Sequence, residues 1–306
     1  MSDPMQESAV KPPHHPVFNE YPCFRGEAED GIRLDFLGGR TRTEWFKPKA
    51  GSCPARFEET AYPPFNEQYL EWIDLLVAVG EAKGKFTMVE LGAGWGRWVV
   101  RAALALRHKG ISTFRLVAVE AEPTHFRWMR EHFRDNGLNP DEHVLIEAAV
   151  GAADGQVRFA VGNADTWFGQ HIVPEARAAA SAGFWARLKR FLRPAAPTTP
   201  PVETRAVECV CLATILEPLE HVDYIDADIQ GSEADVFEAA ATQLDAKVTR
   251  VHIGTHSHAV EERLRALFSR LSWRPEFDHP CSTDSMTPWG VIRFGDGVQA
   301  WRNPRF

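Results

Sequence analysis

The residues whose types and spacing could do chemistry begin in VELGAGWGRW (89–98), where Glu90 precedes Gly92, Gly94 and Gly96. Glycines at alternate positions allow φ > 0, or let a ligand lie directly against the backbone. Glu120 closes the next strand-like run, VAVE. A dinucleotide loop needs GxGxxG, so that a helix N-terminus meets a pyrophosphate. Here the spacing is GxGxG with a carboxylate just ahead of it, which repels a pyrophosphate and tolerates a cation. S-adenosylmethionine has no phosphate and carries an ammonium and a sulfonium, so it suits this turn better than NAD does. A carboxylate at Glu120 suits the two hydroxyls of a ribose. Trp95, Trp98 and Tyr69 offer aromatic faces for adenine or a sulfonium.

A second constellation lies in VDYIDADIQGSE (222–233) and VHIGTHSH (251–258). Methyl transfer from a sulfonium is an in-line displacement, and an aliphatic hydroxyl acceptor must also lose its proton to a base or to a bound metal. Asp228, at a strand end, is the first catalytic candidate. Asp226 shares its strand face, and the pair could share a proton or hold magnesium or manganese. Equally, Asp226 could meet a nearby cation while Asp228 only positions the methionine ammonium. His256 titrates near neutrality and is a candidate general base at the adjacent strand end. Glu233 reads as a helix N-terminal acid, and His252 and His258 carry no comparable signal.

Strand and helix alternate in the elements that must position these groups. Apolar runs at 86–91, 114–120, 143–150, 156–161, 222–229 and 248–254 read as strands. Helical spacing follows in YPPFNEQYLEWIDLLVAVG, RWVVRAALALRHKG, the Pro123 segment, SEADVFEAAATQL and AVEERLRALFSRL. The pattern predicts an α/β, Rossmann-like doubly wound, mostly parallel sheet. Gly295-Asp296-Gly297 predicts an antiparallel C-terminal hairpin. Residues 1–60 read as a flexible leader to about residue 20 followed by an irregular cap, with Phe36, Trp45 and Phe46 filling a small core or stacking on sugars. The catalytic domain is expected over 61–306. Its basic, aromatic segment 174–203 reads as a surface insertion, a substrate lid or a membrane-surface helix.

Composition bounds the partners. The 306 residues carry a formal charge of −8 with no long basic tract, which argues against a sequence-independent grip on nucleic acid. No window is long and apolar enough for stable membrane insertion, and the N-terminus lacks a signal pattern, so a cytoplasmic location is expected. The five scattered cysteines fit ordinary reduced thiols. A small-molecule or glycan acceptor is the natural partner.

Taken together, these motifs resemble the FkbM family of S-adenosylmethionine-dependent methyltransferases from about Phe65 to Trp273. VELGAGWGRW looks like the first cofactor motif, and VAVEAEPTHFRWMREHFRDNG like the Glu-bearing second strand and its helix. IEAAVGAADGQVRF is similar to the stretch that passes the adenine, which implies a cofactor contact at Ala149. DADIQGSE resembles an Asp-x-x-Gly-x-Glu segment, and VHIGTHSH a strand that commonly ends in Glu-Thr-His. Asp226 stands where the family usually has lysine, and Gly254 where glutamate is usual, so neither role carries over. The resemblance implies a class I methyltransferase fold and O-methylation of a sugar or sugar-bearing metabolite. A nicotinamide-dependent oxidoreductase and a catalytically silent binding module remain as alternatives, and metal dependence stays open.

Overall fold

The computed structural model describes residues 14–46, 53–160, 171–172 and 204–306. The segment 174–203 lies outside these residues. Seven strands form the central sheet: β1 (Lys85–Leu91), β2 (Thr113–Glu120), β3 (Val144–Glu147), β4 (Val222–Ala227), β5 (Val248–Thr255), β6 (Arg274–His279) and β7 (Gly297–Arg302). Their order across the sheet is β6-β7-β5-β4-β1-β2-β3. Only β7 runs against its neighbours. The α/β architecture with a mostly parallel sheet and antiparallel C-terminal strands agrees with the sequence pattern.

The period-2 alternation of strand side chains explains why both faces are covered. Met88, Leu116, Ala118 and Tyr224 point into one core with helices α1 (Glu67–Glu81), α2 (Arg97–His108) and α3 (Pro123–Asp135). Their neighbours Val89, Val117, Ile225 and Val251 point into the other, against α4 (Glu233–Ala239) and α5 (His258–Arg270). Strand order reverses between β1 and β4, so the chain diverges there and leaves a crevice beyond the carboxyl ends. Gly92 follows β1 and Asp228 follows β4, on either side of that crevice. Among the described residues no helix is long and apolar enough to cross a membrane.

Four local expectations change. The run 143–150 is not one strand: it leaves the central sheet at Ala148, and Ala149–Gly151 joins a second sheet with Gly155–Ala160, His171–Ile172 and Thr204–Cys211. SEADVFEAAATQL breaks at Ala240 into α4 and the short helix Ala241–Lys247. The leader is not featureless up to residue 20, because Pro16–Glu20 forms a 3-10 turn whose Val17 and Phe18 are buried. Phe18 packs against Tyr69 of α1 with ring centroids 5.2 Å apart. At the C-terminus the hairpin itself is Thr283–Thr287 with Gly290–Phe294, and Gly295-Asp296-Gly297 leads from it into β7. Gly297 is required by close approach: a Cβ there would lie 2.4 Å from Thr255 Oγ1 and 2.6 Å from the Cys281 nitrogen.

Candidate active site

One cleft at the strand ends is lined by Glu90, Gly92, Gly94, Glu120, Asp226 and Asp228, whereas Gly96, Gly295 and Glu233 are set back from it, and His256 stands against its rim. Gly92, Gly94 and Gly96 all have left-handed φ, at 76°, 55° and 71°. Each position uses that freedom differently. A Cβ on Gly92 would lie 2.0 Å from the Asp228 carbonyl oxygen, and one on Gly96 would lie 2.9 Å from Met129 Cγ. One on Gly94 would meet no protein atom within 4 Å, because it would project into the cleft.

Glu90 does not face the cleft freely. Gly96 sits at the N-cap of α2 without a side chain to offer, and Glu90 supplies the missing acceptor from β1. Its Oε1 accepts from the Trp98 amide at 3.2 Å and its Oε2 from the Val99 amide at 2.9 Å. Burial pushes its pKa up to about 7 against the pull of those two amides. Glu120 supports the turn in a similar way from the neighbouring strand, β2. Its Oε2 accepts from the Gly94 amide and its Oε1 from the Glu122 amide, both at 2.7 Å, so it fixes the middle of the glycine turn. Burial raises its pKa to about 7, opposed by the Glu122 amide and by His125. Each Glu120 oxygen keeps a further lone pair for a ligand hydroxyl.

Beyond Glu120 the cleft is walled by Ala121, Ala149, Phe159 and Ile172. This apolar end exists because the chain leaves the central sheet at Ala148. Phe159 and Ile172 went unnoticed in the sequence because they sit on strands of the second sheet. Trp95 lines the wall but is 5% exposed, packed edge-on against Phe46 at 5.3 Å. Trp98, whose ring lies 5.3 Å from that of Trp72, belongs largely to the core. Tyr69 is not a wall of the cleft: its hydroxyl accepts from the His15 amide at 2.9 Å, and its ring packs with Phe18. In the cap, Phe36 and Trp45 are buried, Phe36 against Trp72 and Trp45 stacked on Trp128.

The opposite end is acidic. Glu67, Glu71, Asp226, Asp228 and Asp296 line it, with Arg97 nearby. Asp228 is about half exposed there (51% of its side chain), and its Oδ1 lies 3.3 Å from His256 Nε2. Gln230 Nε2 donates to the same oxygen at 2.9 Å. His256 Nδ1 donates to Glu233 Oε1 at 3.0 Å, and Asp296 Oδ1 is 3.9 Å from Nε2. Desolvation lowers the imidazole pKa, but the pull of Asp228 and Glu233 on the protonated ring outweighs it and raises it to about 10. Desolvation would raise Asp228, yet His256 and Gln230 hold it below its ordinary value.

Glu233 is more than a helix cap, since Oε1 also accepts from the Ile229 and Gly231 amides. Asp226 sits in register with Glu90 and His252 on the face toward α1 and is 3% exposed. Its Oδ1 has no hydrogen-bond partner, and burial together with Glu71, Glu90 and Asp228 holds its pKa well above the carboxylate range. Gly254 leaves open the space beside Asp228, whose Cβ would be 3.7 Å from an added one. Asp296 could have been noticed from its place between two glycines. Glu71 gave no signal beyond its helical phase with Glu67.

The sequence profile of the Methyltransferase FkbM domain matches residues 78–278. The chain belongs to the FkbM methyltransferase family. A protein of Jannaschia sp. (strain CCS1) that carries a methyltransferase name is 26% identical over 297 residues, covering 93% of this chain and 97% of that one. Among solved structures, the methyltransferase FkbM of Methylobacillus flagellatus KT is similar with a TM-score of 0.43 and 13% identity, over 72% of this chain and 45% of its own. This methyltransferase thus spans under half the length of that protein. An O-methyltransferase from Bacillus cereus in complex with SAH gives a TM-score of 0.39 and 13% identity, over 78% and 82% of the two chains.

Proposed function

We propose that this FkbM methyltransferase transfers a methyl group from S-adenosylmethionine to a hydroxyl of a small-molecule or glycan acceptor. The observation that carries the reading is the division of one cleft into an apolar end beside Glu120 and a carboxylate-lined end beside Asp228. The turn fits the cofactor: Gly94 presents bare backbone to open space, and the surrounding charge is negative toward a ligand that bears two cationic groups. In this reading Glu120 accepts the ribose hydroxyls, and Ala149, Phe159 and Ile172 flank the adenine. Gly92, Gly94 and Trp95 border the methionine moiety, with Gly96 and Glu90 holding the turn from behind. Bound there, the cofactor supplies an electrophilic methyl on sulfur.

Asp228 and His256 stand on the acceptor side, where the hydroxyl must lose its proton as its oxygen forms the new bond. The cap and the segment 61–306 act as one catalytic unit in this scheme, and the partner is not nucleic acid. Calorimetry with S-adenosylhomocysteine tests the cofactor assignment. Methyl-labelled cofactor incubated with the protein and with metabolite and glycan fractions, read by mass spectrometry, tests the acceptor. Saturable binding and a labelled ether product are expected. Absence of binding at millimolar ligand refutes the cofactor, and label on nitrogen or carbon refutes O-methylation.

A further inference from the structure

The side chains at the acidic mouth of the cleft form a donor set drawn from three strand ends. Asp228 follows β4, His256 follows β5, and Asp296 precedes β7. His256 Nε2 lies 3.3 Å from Asp228 Oδ1 and 3.9 Å from Asp296 Oδ1. Two donors about 2.1 Å from one ion stand about 3.0–3.5 Å apart at octahedral to tetrahedral angles. The first spacing already matches. The second needs a shift of a few tenths of an ångström, which Asp296 can make because its side chain is 60% exposed.

Two further observations point the same way. His256 Nε2 is buried and makes no well-formed hydrogen bond, although it is directed at both carboxylates. Its other nitrogen donates to Glu233, a fully buried residue whose Oε2 is itself unpartnered. Metal-bound histidines are ordinarily held in this way, with a carboxylate on the far ring nitrogen fixing tautomer and orientation. Donor atoms of Asp228, Glu233 and His256 fall within 4.8 Å of one another, which places Glu233 behind the ring as the histidine's anchor. Asp226, the partner expected from strand parity, meets Asp228 only as a like charge from a buried position.

We propose that His256 Nε2, Asp228 and Asp296 bind a divalent transition-metal cation at the mouth of the cleft, with Glu233 holding the histidine in place. One imidazole with carboxylates favours manganese-like ions over magnesium, which prefers oxygen donors alone. An open coordination position facing the cleft would take the acceptor hydroxyl and polarise it. That role rests on the methyl-transfer reading; the binding of the ion does not.

The test is titration of the full, chelator-stripped protein with Mn2+, followed by the loss of the free-ion paramagnetic resonance signal. Saturation at a single ion per chain is expected, with Mg2+ competing only weakly. His256→Ala and Asp296→Asn should each weaken Mn2+ by about 10–100-fold. S-adenosylhomocysteine calorimetry on the same preparations reports whether the variants keep a folded cofactor site. Wild-type protein that takes up no Mn2+ at millimolar concentration overturns the proposal, as do two folded variants that bind Mn2+ like wild type. If Mn2+ binds and S-adenosylhomocysteine does not, the cation site stands and the cofactor reading falls; the reverse result sinks the cation site alone.

Discussion

Replacing Gly94 by alanine separates backbone strain from ligand contact. Gly94 has φ +55°, and an added Cβ would meet nothing within 4 Å. The fold therefore loses only the left-handed penalty, about 1–2 kcal/mol for an L-residue. Gly84 is the control, because it too has positive φ (+81°) and an open Cβ position, yet it is exposed in the turn before β1. Gly84→Ala and Gly94→Ala should thus unfold in denaturant with similar losses of stability. They should differ in binding. A methyl group at Gly94 projects where the ligand is proposed to touch the backbone, and a misfit of one methyl group against a packed surface costs about 1–3 kcal/mol. S-adenosylhomocysteine affinity measured by calorimetry should then fall roughly 5–150-fold in Gly94→Ala and stay unchanged in Gly84→Ala. Equal affinity in the two variants refutes the idea that the ligand lies on the glycine turn. Gly92→Ala serves as the opposite extreme: the clash with the Asp228 carbonyl should destabilise the protein itself.

Glu120→Gln should weaken S-adenosylhomocysteine by about 1.5–3 kcal/mol through loss of charge-assisted hydrogen bonds, and unchanged calorimetric affinity would remove Glu120 from the ribose site. Asp74→Ala should cost about 3–5 kcal/mol of unfolding free energy, because it strands Arg250, 3% exposed and directly paired with Asp74, beneath α1; a loss under about 1 kcal/mol in urea titrations contradicts that pairing. His132 is buried, and desolvation lowers its pKa to about 4 from 6.5. The folded state then holds fewer protons than the unfolded state between these values, so this histidine's contribution to stability is present above pH 6.5 and lost as pH falls toward 4. The stability gap between wild type and His132→Asn should widen by up to about 3 kcal/mol from pH 4 to 7, and a pH-independent gap refutes the burial argument.

The sheet was legible because its strands are short apolar runs closed by glycine, proline or acidic residues, and the structure keeps nearly all of their boundaries. β1, β2, β4 and β5 are each displaced by no more than two residues at an end from the runs read in the sequence. Misreadings occur where tertiary pairing overrides a continuous local pattern. HVLIEAAV reads as one continuous extended run, but its second half finds a better partner in Thr204–Cys211 than in the central sheet. Nothing within eight residues of sequence announces a partner that distant. The C-terminal glycines misled in a different way, because Gly297 answers a steric demand from Thr255 and Glu261 and not a turn.

At the site, residue type was easier to read than depth along the strand. Glu90, Asp226 and His252 lie side by side in register, one row inside the strand ends and beneath α1. A carboxylate in that row is desolvated, and what it does is decided by what the protein offers it. Glu90 finds two helix amides, His252 finds Asp74 at 3.3 Å, and Asp226 finds no hydrogen-bond partner among the described residues. Asp228 and His256 lie just past the ends of β4 and β5, where solvent and a ligand can reach them. The same residue types therefore split into buried supports and accessible chemistry at a boundary of only one or two residues. Parity along a strand can place Asp226 and Asp228 on one face, but it cannot say which is under a helix. That distinction moves the candidate partners of Asp228 from its own strand to its neighbours, His256 and Asp296. Asp226 adds a carboxyl to a row that already holds Glu90 and faces Glu71. The excess of acidic groups at this end is a feature of this chain's own residues, and it favours a cationic occupant, whether an ion or an acceptor bearing an amine.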